Sequence, residues 1–227
     1  MKFTATALPL LAGLASAGPI EERQSCPGVH VFGARETTVA PGYGTSQGLV
    51  DMVVRAYPGA TKEAIQYPAC GGQSSCGGAS YDSSQQQGTA AVVKAVTAFN
   101  QRCPNTKIVL VGYSQGGQIF DNAMCGGAGQ TLSGAALAAV KAAIFMGDPR
   151  YVSGSSFNVG TCRAKGFNAR PNGFKCSPAS ESILQSYCDS TDPYCCNGND
   201  ANSHQQYVNK YGQQALTFIK SKLDASP

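Results

Sequence analysis

The stretch IVLVGYSQGG, Ile108 to Gly117, runs β-branched and leucyl residues into Gly112-Tyr113-Ser114-Gln115-Gly116 and is followed by a segment of helical pattern. The apolar run suits a buried strand. The glycines at 112 and 116 remove the side chains that would block a sharp strand-to-helix turn, the arrangement of a nucleophile elbow. Such a turn lifts the Ser114 hydroxyl clear of the backbone and aims the Gln115 N–H at the space beside it, where the following helix adds the positive end of its dipole. A G-x-S-x-G pentapeptide alone is a modest signal, since it also describes an ordinary surface turn. The strand before it and the helix after it give it weight.

Working outward, four further apolar runs read as strands: Val29 to Ala34, Ala64 to Tyr67, Ala142 to Met146 and Ile183 to Tyr187, with Lys107 to Gly112 as the central one. Helical spacing of apolar residues falls between and after them, at Thr45 to Ala56, Ser83 to Phe99, Gln115 to Met124 and His204 to Leu223. Strands alternating with helices predict a parallel sheet covered on both faces, with ligands at the carboxyl ends of the strands, where Ser114 sits. Gly71 to Ser80 and the long region Gly147 to Ser182 read as disulfide-held loops. Gly126 to Ser133 reads as the link from the serine helix to another helix.

A length of 227 residues is enough for one α/β domain with a substantial core, and no composition shift or repeat suggests a second, so residues 24–227 are expected to form a single catalytic domain. Residues 1–17 have the form of a secretory signal peptide, with Lys2, an apolar stretch through Leu14, and Ala15-Ser16-Ala17 as the cleavage signal. Residues 18–23 read as a short propeptide. Ten cysteines agree with export and predict five disulfides rather than a metal site, because they are spread out and accompanied by only two histidines. Cys70 with Cys76, and Cys188 with Cys195, lie close enough to pin single loops. The formal charge is +4 with 13% charged residues, and the scattered lysines and arginines do not form a nucleic-acid surface. The expectation is a secreted protein with neither nucleic-acid nor membrane partners.

A serine nucleophile needs a base and an acid. His30 lies inside a strand pattern and suits a structural hydrogen bond, whereas His204 follows a polar loop and opens a helix. Sheet-based hydrolases order their partners Ser, acid, His, which favours His204. The acid then lies among Asp121, Asp148, Asp189, Asp192, Asp200 and Glu181. Asp148, before Pro149, suits a turn. Asp189 and Asp192 share the loop Cys188 to Cys195, which a small disulfide would hold rigid, and a fixed acid is what the imidazole requires. Spacing favours Asp192 and leaves Asp189 open.

SCPGVHVFGARETT, YPACGGQSSCGGASY, VLVGYSQGG, AAIFMGDP, SYCDSTDPYCCNG and the late His204 together resemble secreted fungal acetylxylan esterases, in carbohydrate esterase family 5, which also contains the cutinases. The resemblance spans nearly all of Ser25 to Leu223. It implies an α/β-hydrolase-like three-layer sandwich with a five-stranded parallel sheet and helices on both faces. It carries over Ser114 as nucleophile, Asp192 as acid and His204 as base. It implies Thr37 in the R-E-T-T motif as a second oxyanion donor beside Gln115, and Tyr194 as a border of the acyl pocket. The implied disulfides are Cys26–Cys103, Cys70–Cys76, Cys125–Cys196, Cys162–Cys176 and Cys188–Cys195.

The expected activity is hydrolysis of acetyl esters on acetylated xylan or xylo-oligosaccharide by a monomer that uses no metal and no cofactor. A cutinase or general short-chain esterase would use the same residues on other esters. A noncatalytic polysaccharide-binding protein is a third reading, opposed by the complete set of triad residue types and by the absence of Trp.

Overall fold

The computed structural model describes residues 1–2 and 26–225. The signal peptide and propeptide expected over residues 1–23 lie, beyond Met1 and Lys2, outside the described residues. No helix among the described residues is long and apolar enough to cross a membrane.

Six parallel strands form one sheet in the order β2-β1-β3-β4-β6-β5. They are β1 (Val29–Ala34), β2 (Thr61–Ala64), β3 (Lys107–Tyr113), β4 (Val140–Met146), β5 (Asn158–Val159) and β6 (Leu184–Tyr187). The central strands are apolar on both sides because both faces are covered, as a parallel sheet requires. Phe32, Leu110 and Phe145 point to one face and pack with Val92 and Val96 of α2 (Tyr81–Arg102) and Ile119 and Phe120 of α3 (Gln115–Cys125). Short α4 (Gly134–Ala139) joins the same side through Ala136 and Ala139. Val31, Val109, Val111 and Ile144 point the other way, onto Leu49, Val50 and Val53 of α1 (Gln47–Ala56) and Ala215 and Ile219 of α5 (Tyr207–Leu223). Burial of each such side chain contributes about 1.5–3 kcal/mol, so the strand alternation fixes the register of both layers.

Two strands differ from the sequence expectation. The second strand is Thr61–Ala64 rather than Ala64 to Tyr67. It is an edge strand with Lys62 and Glu63 exposed, as edges commonly are, and the apolar Ile65 and Tyr67 are buried in the connector that follows. At the opposite edge, β5 adds two residues from the region read as loop, so the sheet has six strands rather than five. From β1 the chain turns outward to β2, and from β3 it builds toward the other edge. The direction of winding therefore reverses between β1 and β3, and the loops leaving those two strands diverge around a crevice at their carboxyl ends.

Cys26–Cys103, Cys70–Cys76 and Cys188–Cys195 are bonded. The pairings Cys125–Cys196 and Cys162–Cys176 are corrected: the bonds are Cys125–Cys176 and Cys162–Cys196. Cys125 ends α3, and the Ala179 N–H donates to the Met124 carbonyl (3.1 Å), which brings the Cys176 segment onto that helix end. Cys162 is held beside the acid loop by its N–H on the Cys188 carbonyl (3.1 Å), within reach of Cys196. Peptide mapping of the unreduced protein should recover the 125–176 and 162–196 cross-links, and a 125–196 cross-linked peptide would overturn this arrangement.

Candidate active site

Ser114 adopts φ 52° and ψ −120°, a conformation that costs a residue with a Cβ on the order of 1–3 kcal/mol. The surroundings enforce it. A Cβ at Gly112 would stand 2.3 Å from the Gly116 carbonyl oxygen, and one at Gly116 would stand 2.2 Å from the Ala34 carbonyl oxygen. The Ser114 N–H donates to the Met146 carbonyl (2.7 Å), and the Ser114 carbonyl accepts from the Gln118 N–H (3.0 Å) to start α3.

At the first position of α3, the Gln115 N–H has no intrahelical acceptor. The Gln115 side chain is fully engaged: Oε1 accepts from Ser84 Oγ (2.8 Å) and Nε2 donates to the Cys70 carbonyl (3.1 Å). Ser84 Oγ in turn accepts from the Cys70 N–H (2.8 Å), so α2 and the Cys70–Cys76 loop clamp the elbow from the side. Thr37 is half-buried in the loop after β1. That loop is held by the Thr38 N–H on the Ala69 carbonyl (2.7 Å), and by Arg35 Nη2 and Nε on the carbonyls of Tyr67 (2.6 Å) and Val39 (2.8 Å). Its preceding carbonyls, Ala34 and Arg35, are the ones pressed against Gly116, which brings the Thr37 loop to the corner that Gln115 opens.

Asp192 is completely buried and accepts four hydrogen bonds. Oδ1 takes the N–H groups of Tyr194 (2.6 Å) and Cys195 (3.2 Å), while Oδ2 takes His204 Nδ1 (2.7 Å) and the Tyr207 hydroxyl (2.7 Å). Burial pushes this carboxyl up, but the bonds from His204, Tyr194 and Tyr207 outweigh it and hold it below the ordinary aspartate value. The His204 ring lies against Gly147, where a Cβ would stand 2.7 Å from Cε1. Gly147 follows Met146, the register partner of Tyr113, so the imidazole sits over the strand position next to Ser114. The Tyr113 hydroxyl donates to the His204 carbonyl (2.6 Å), and the Tyr194 ring covers the imidazole at 4.6 Å.

A strained serine on a strand-to-helix elbow, a helix-start amide beside it, and an imidazole bonded to a buried carboxylate make up an acyl-transfer site in arrangement. A family model described as Cutinase matches residues 25–223. The chain belongs to the cutinase family. Within that family, it is 61% identical over 234 residues to Cutinase 11 of Verticillium dahliae, covering 99% of this chain and 78% of that one. It is 58% identical over 230 residues to Acetylxylan esterase 2 of Talaromyces purpureogenus, covering 97% of each. The solved catalytic core domain of acetylxylan esterase from Trichoderma reesei matches with a TM-score of 0.84 at 57% identity, covering 87% of this chain and 100% of that one.

The other acids and the histidine that the sequence offered as candidates have structural partners in this cutinase-family fold. His30 Nδ1 meets Thr61 Oγ1 at 2.6 Å and its ring stacks on Phe99, with burial lowering its pKa to about 4. Asp189 is bound by Lys210 (2.6 Å), Tyr211 (2.7 Å) and the Thr161 N–H (3.1 Å). Asp121 pairs with Arg170 (3.0 Å), Asp148 caps the turn at the Arg150 N–H (2.8 Å), Asp200 accepts from the Asn202 N–H (3.0 Å), and Glu181 from the Cys176 N–H (3.1 Å). Burial and then the nearby Asp121 push the Asp148 carboxyl well up. Among the described residues, the one cluster with metal-ligand proximity is Cys162, Cys188 and Cys196, whose sulfurs are all in disulfides and so offer no thiolate.

Sequence reasoning missed Tyr207 and Tyr113. Tyr207 follows His204 by three residues, a spacing that on the opening turn of a helix places a hydroxyl near the same carboxylate. Replacing Tyr207 by Phe removes a hydrogen bond to a buried charge, worth about 1.5–3 kcal/mol, and also the acceptor of the Asp189 N–H (2.9 Å). Because the folded-state pKa of Asp192 is depressed, this contribution is complete above the unfolded value of roughly 3.9 and fades as pH falls through the folded value. Urea denaturation should show Tyr207→Phe less stable by at least that amount at pH 7, with the gap narrowing as pH falls through the depressed folded-state value of Asp192. Equal stability at pH 7 would count against the bond.

Proposed function

We propose that this protein is a secreted, monomeric serine esterase that removes acetyl groups from acetylated xylan. The observation that carries the catalytic part is the Asp192–His204 bond, with the imidazole seated on Gly147 beside the Ser114 elbow. Nδ1 is committed to Asp192, which leaves Nε2 to act as the base. Nε2 takes the proton of Ser114 Oγ as that oxygen attacks the acetyl carbonyl, and the charge on the carbonyl oxygen is met by the Gln115 N–H and by Thr37. The imidazolium, stabilised by Asp192, then gives its proton to the departing sugar oxygen. Water, deprotonated by His204, attacks the acetyl-enzyme and releases acetate. Tyr194, over the imidazole, borders the acyl pocket. These steps use protein groups and water alone.

The substrate part rests on likeness to Acetylxylan esterase 2 along 97% of both chains. The leader-like residues 1–17 and the five disulfides support export. Likeness to Cutinase 11 favours the second reading, a cutinase with the same triad.

Ser114→Ala should lower kcat by about 10⁶-fold, and a variant keeping a tenth of wild-type activity would sink the assignment. Acyl preference separates the two substrates. A permissive pocket gains about 0.8 kcal/mol per methylene, so a cutinase should prefer butyryl over acetyl esters by up to roughly 15-fold. The acetylxylan reading requires the reverse order, together with acetate release from acetylated xylan.

A further inference from the structure

A groove of about 580 Å³ opens beside Tyr194, within the roughly 300–1,000 Å³ range of ligand sites, and the chemistry above leaves it unused. Its walls carry Arg163, Lys165, Phe167, Asn172 and Asn197 and no carboxylate. Its wall is joined to the His204 side of the site through the Tyr194 backbone. The Phe167 N–H donates to the Tyr194 carbonyl (3.1 Å), a Cβ at Gly166 would stand 2.9 Å from that same oxygen, and the Tyr194 ring lies on His204. Phe167 is 59% exposed although its ring is fixed edge-on to Tyr81 at 5.3 Å. An exposed aromatic ring held on one edge suits the apolar face of a pyranose ring, and the two amides suit its hydroxyls.

The cations add a further requirement. The segment around Lys165 is extended and paired with its neighbour: Val152 bridges Lys165, the Ser153 N–H donates to the Ala164 carbonyl (3.0 Å), and the Gly166 N–H donates to the Tyr151 carbonyl (3.0 Å). Arg163 and Lys165, two residues apart on this segment, both line the groove. Arg163 Nη1 donates to the carbonyls of Gly160 (3.3 Å) and Cys162 (3.0 Å), which anchors the guanidinium. Among the described residues, neither cation has a carboxylate partner within 4.0 Å. Both are exposed, so a carboxylate entering the groove gains a modest, salt-sensitive attraction from them.

We propose that the groove binds the polysaccharide chain flanking the acetylated sugar, with Phe167 under a pyranose ring and Arg163 and Lys165 taking the carboxylate of an uronic-acid side group. The inference rests on the acetylxylan reading and narrows its substrate to the acidic form of the polymer.

The test compares acetylated xylan bearing uronic-acid groups with the same polymer after its carboxyls have been reduced to alcohols. Each kcat/KM is divided by the same enzyme's value on 4-nitrophenyl acetate, so that a loss of folding or of triad geometry cancels. Wild type should favour the carboxylate polymer by about 3- to 10-fold at low salt, as expected for one or two exposed ion pairs, and the preference should shrink in 0.5 M NaCl. In the Arg163→Gln/Lys165→Gln double variant the ratio should fall to about one. Equal wild-type rates on the two polymers, or a preference that survives in the double variant, would overturn the proposal. Binding of both unacetylated polymers to Ser114→Ala by affinity electrophoresis gives a second readout that needs no turnover. Carboxylate-dependent retardation abolished by the double substitution supports the groove, and its absence overturns it. Failure of wild type to release acetate from either polymer, with that retardation intact, would discard the acetylxylan reading and leave the groove's ligand class standing.

Discussion

The close approach of α3 to the end of β1 sets everything else at the site. With Gly116 lacking a Cβ, the first turn of the helix can lie against the carbonyls of Ala34 and Arg35, and with Gly112 lacking one, the turn can fold back on the strand that feeds it. The same contact falls where the winding of the sheet reverses, so a crevice that any such sheet would have becomes one lined by a serine hydroxyl and a helix-start amide. The strained backbone of Ser114 follows from that constraint. It is held in place by neighbours on both strands and by the Gln115–Ser84–Cys70 bonds, rather than by a favourable local conformation.

The acid side is built by a different device. No regular element presents Asp192; a loop closed by Cys188–Cys195 and tied to Cys162 through Cys196 does, and two of its own amides turn inward to the carboxylate. Burying a charge so completely is tolerable because all four hydrogen bonds are made. The groove wall is anchored in a comparable way. Arg170 reaches back to Asp121 on α3 and to the Gly126 carbonyl (2.6 Å), so the loop carrying Arg163, Lys165 and Phe167 is fastened to the serine helix itself. The two sides of the crevice are therefore rigid for separate reasons, one through close backbone contact and one through cross-links and a satisfied charge.

The sequence displayed the parts governed by local pattern. The elbow, the apolar central strands and the helical spacing over Thr45 to Ala56 and His204 to Leu223, where the helices are Gln47–Ala56 and Tyr207–Leu223, were visible because burial on both faces leaves near-continuous apolar runs and one-sided burial leaves a 3.6-residue period. Edge strands were less legible. Thr61–Ala64 is polar because it has a single neighbour, and Asn158–Val159 is too short to leave any periodicity. The exchange of partners among Cys125, Cys162, Cys176 and Cys196 depends on which loop crosses which helix end, and spacing does not encode that. Asp192 and Asp189 look alike in sequence, three residues apart in one loop. What separates them is the company each keeps, His204 and Tyr207 for one, Lys210 and Tyr211 for the other.

Tyr207 also sets a sequence of events. The hydroxyl that helps hold Asp192 belongs to α5, and the backbone of that same residue is bonded to Tyr113 in the central strand (3.2 Å). A growing chain presents Thr37, Ser114 and Gln115 well before it contains His204 or Tyr207. The constellation around Ser114 is therefore incomplete until α5 packs onto the sheet and brings His204 and Tyr207 to Asp192. The site is thus divided along the chain, and its last members arrive with the last helix.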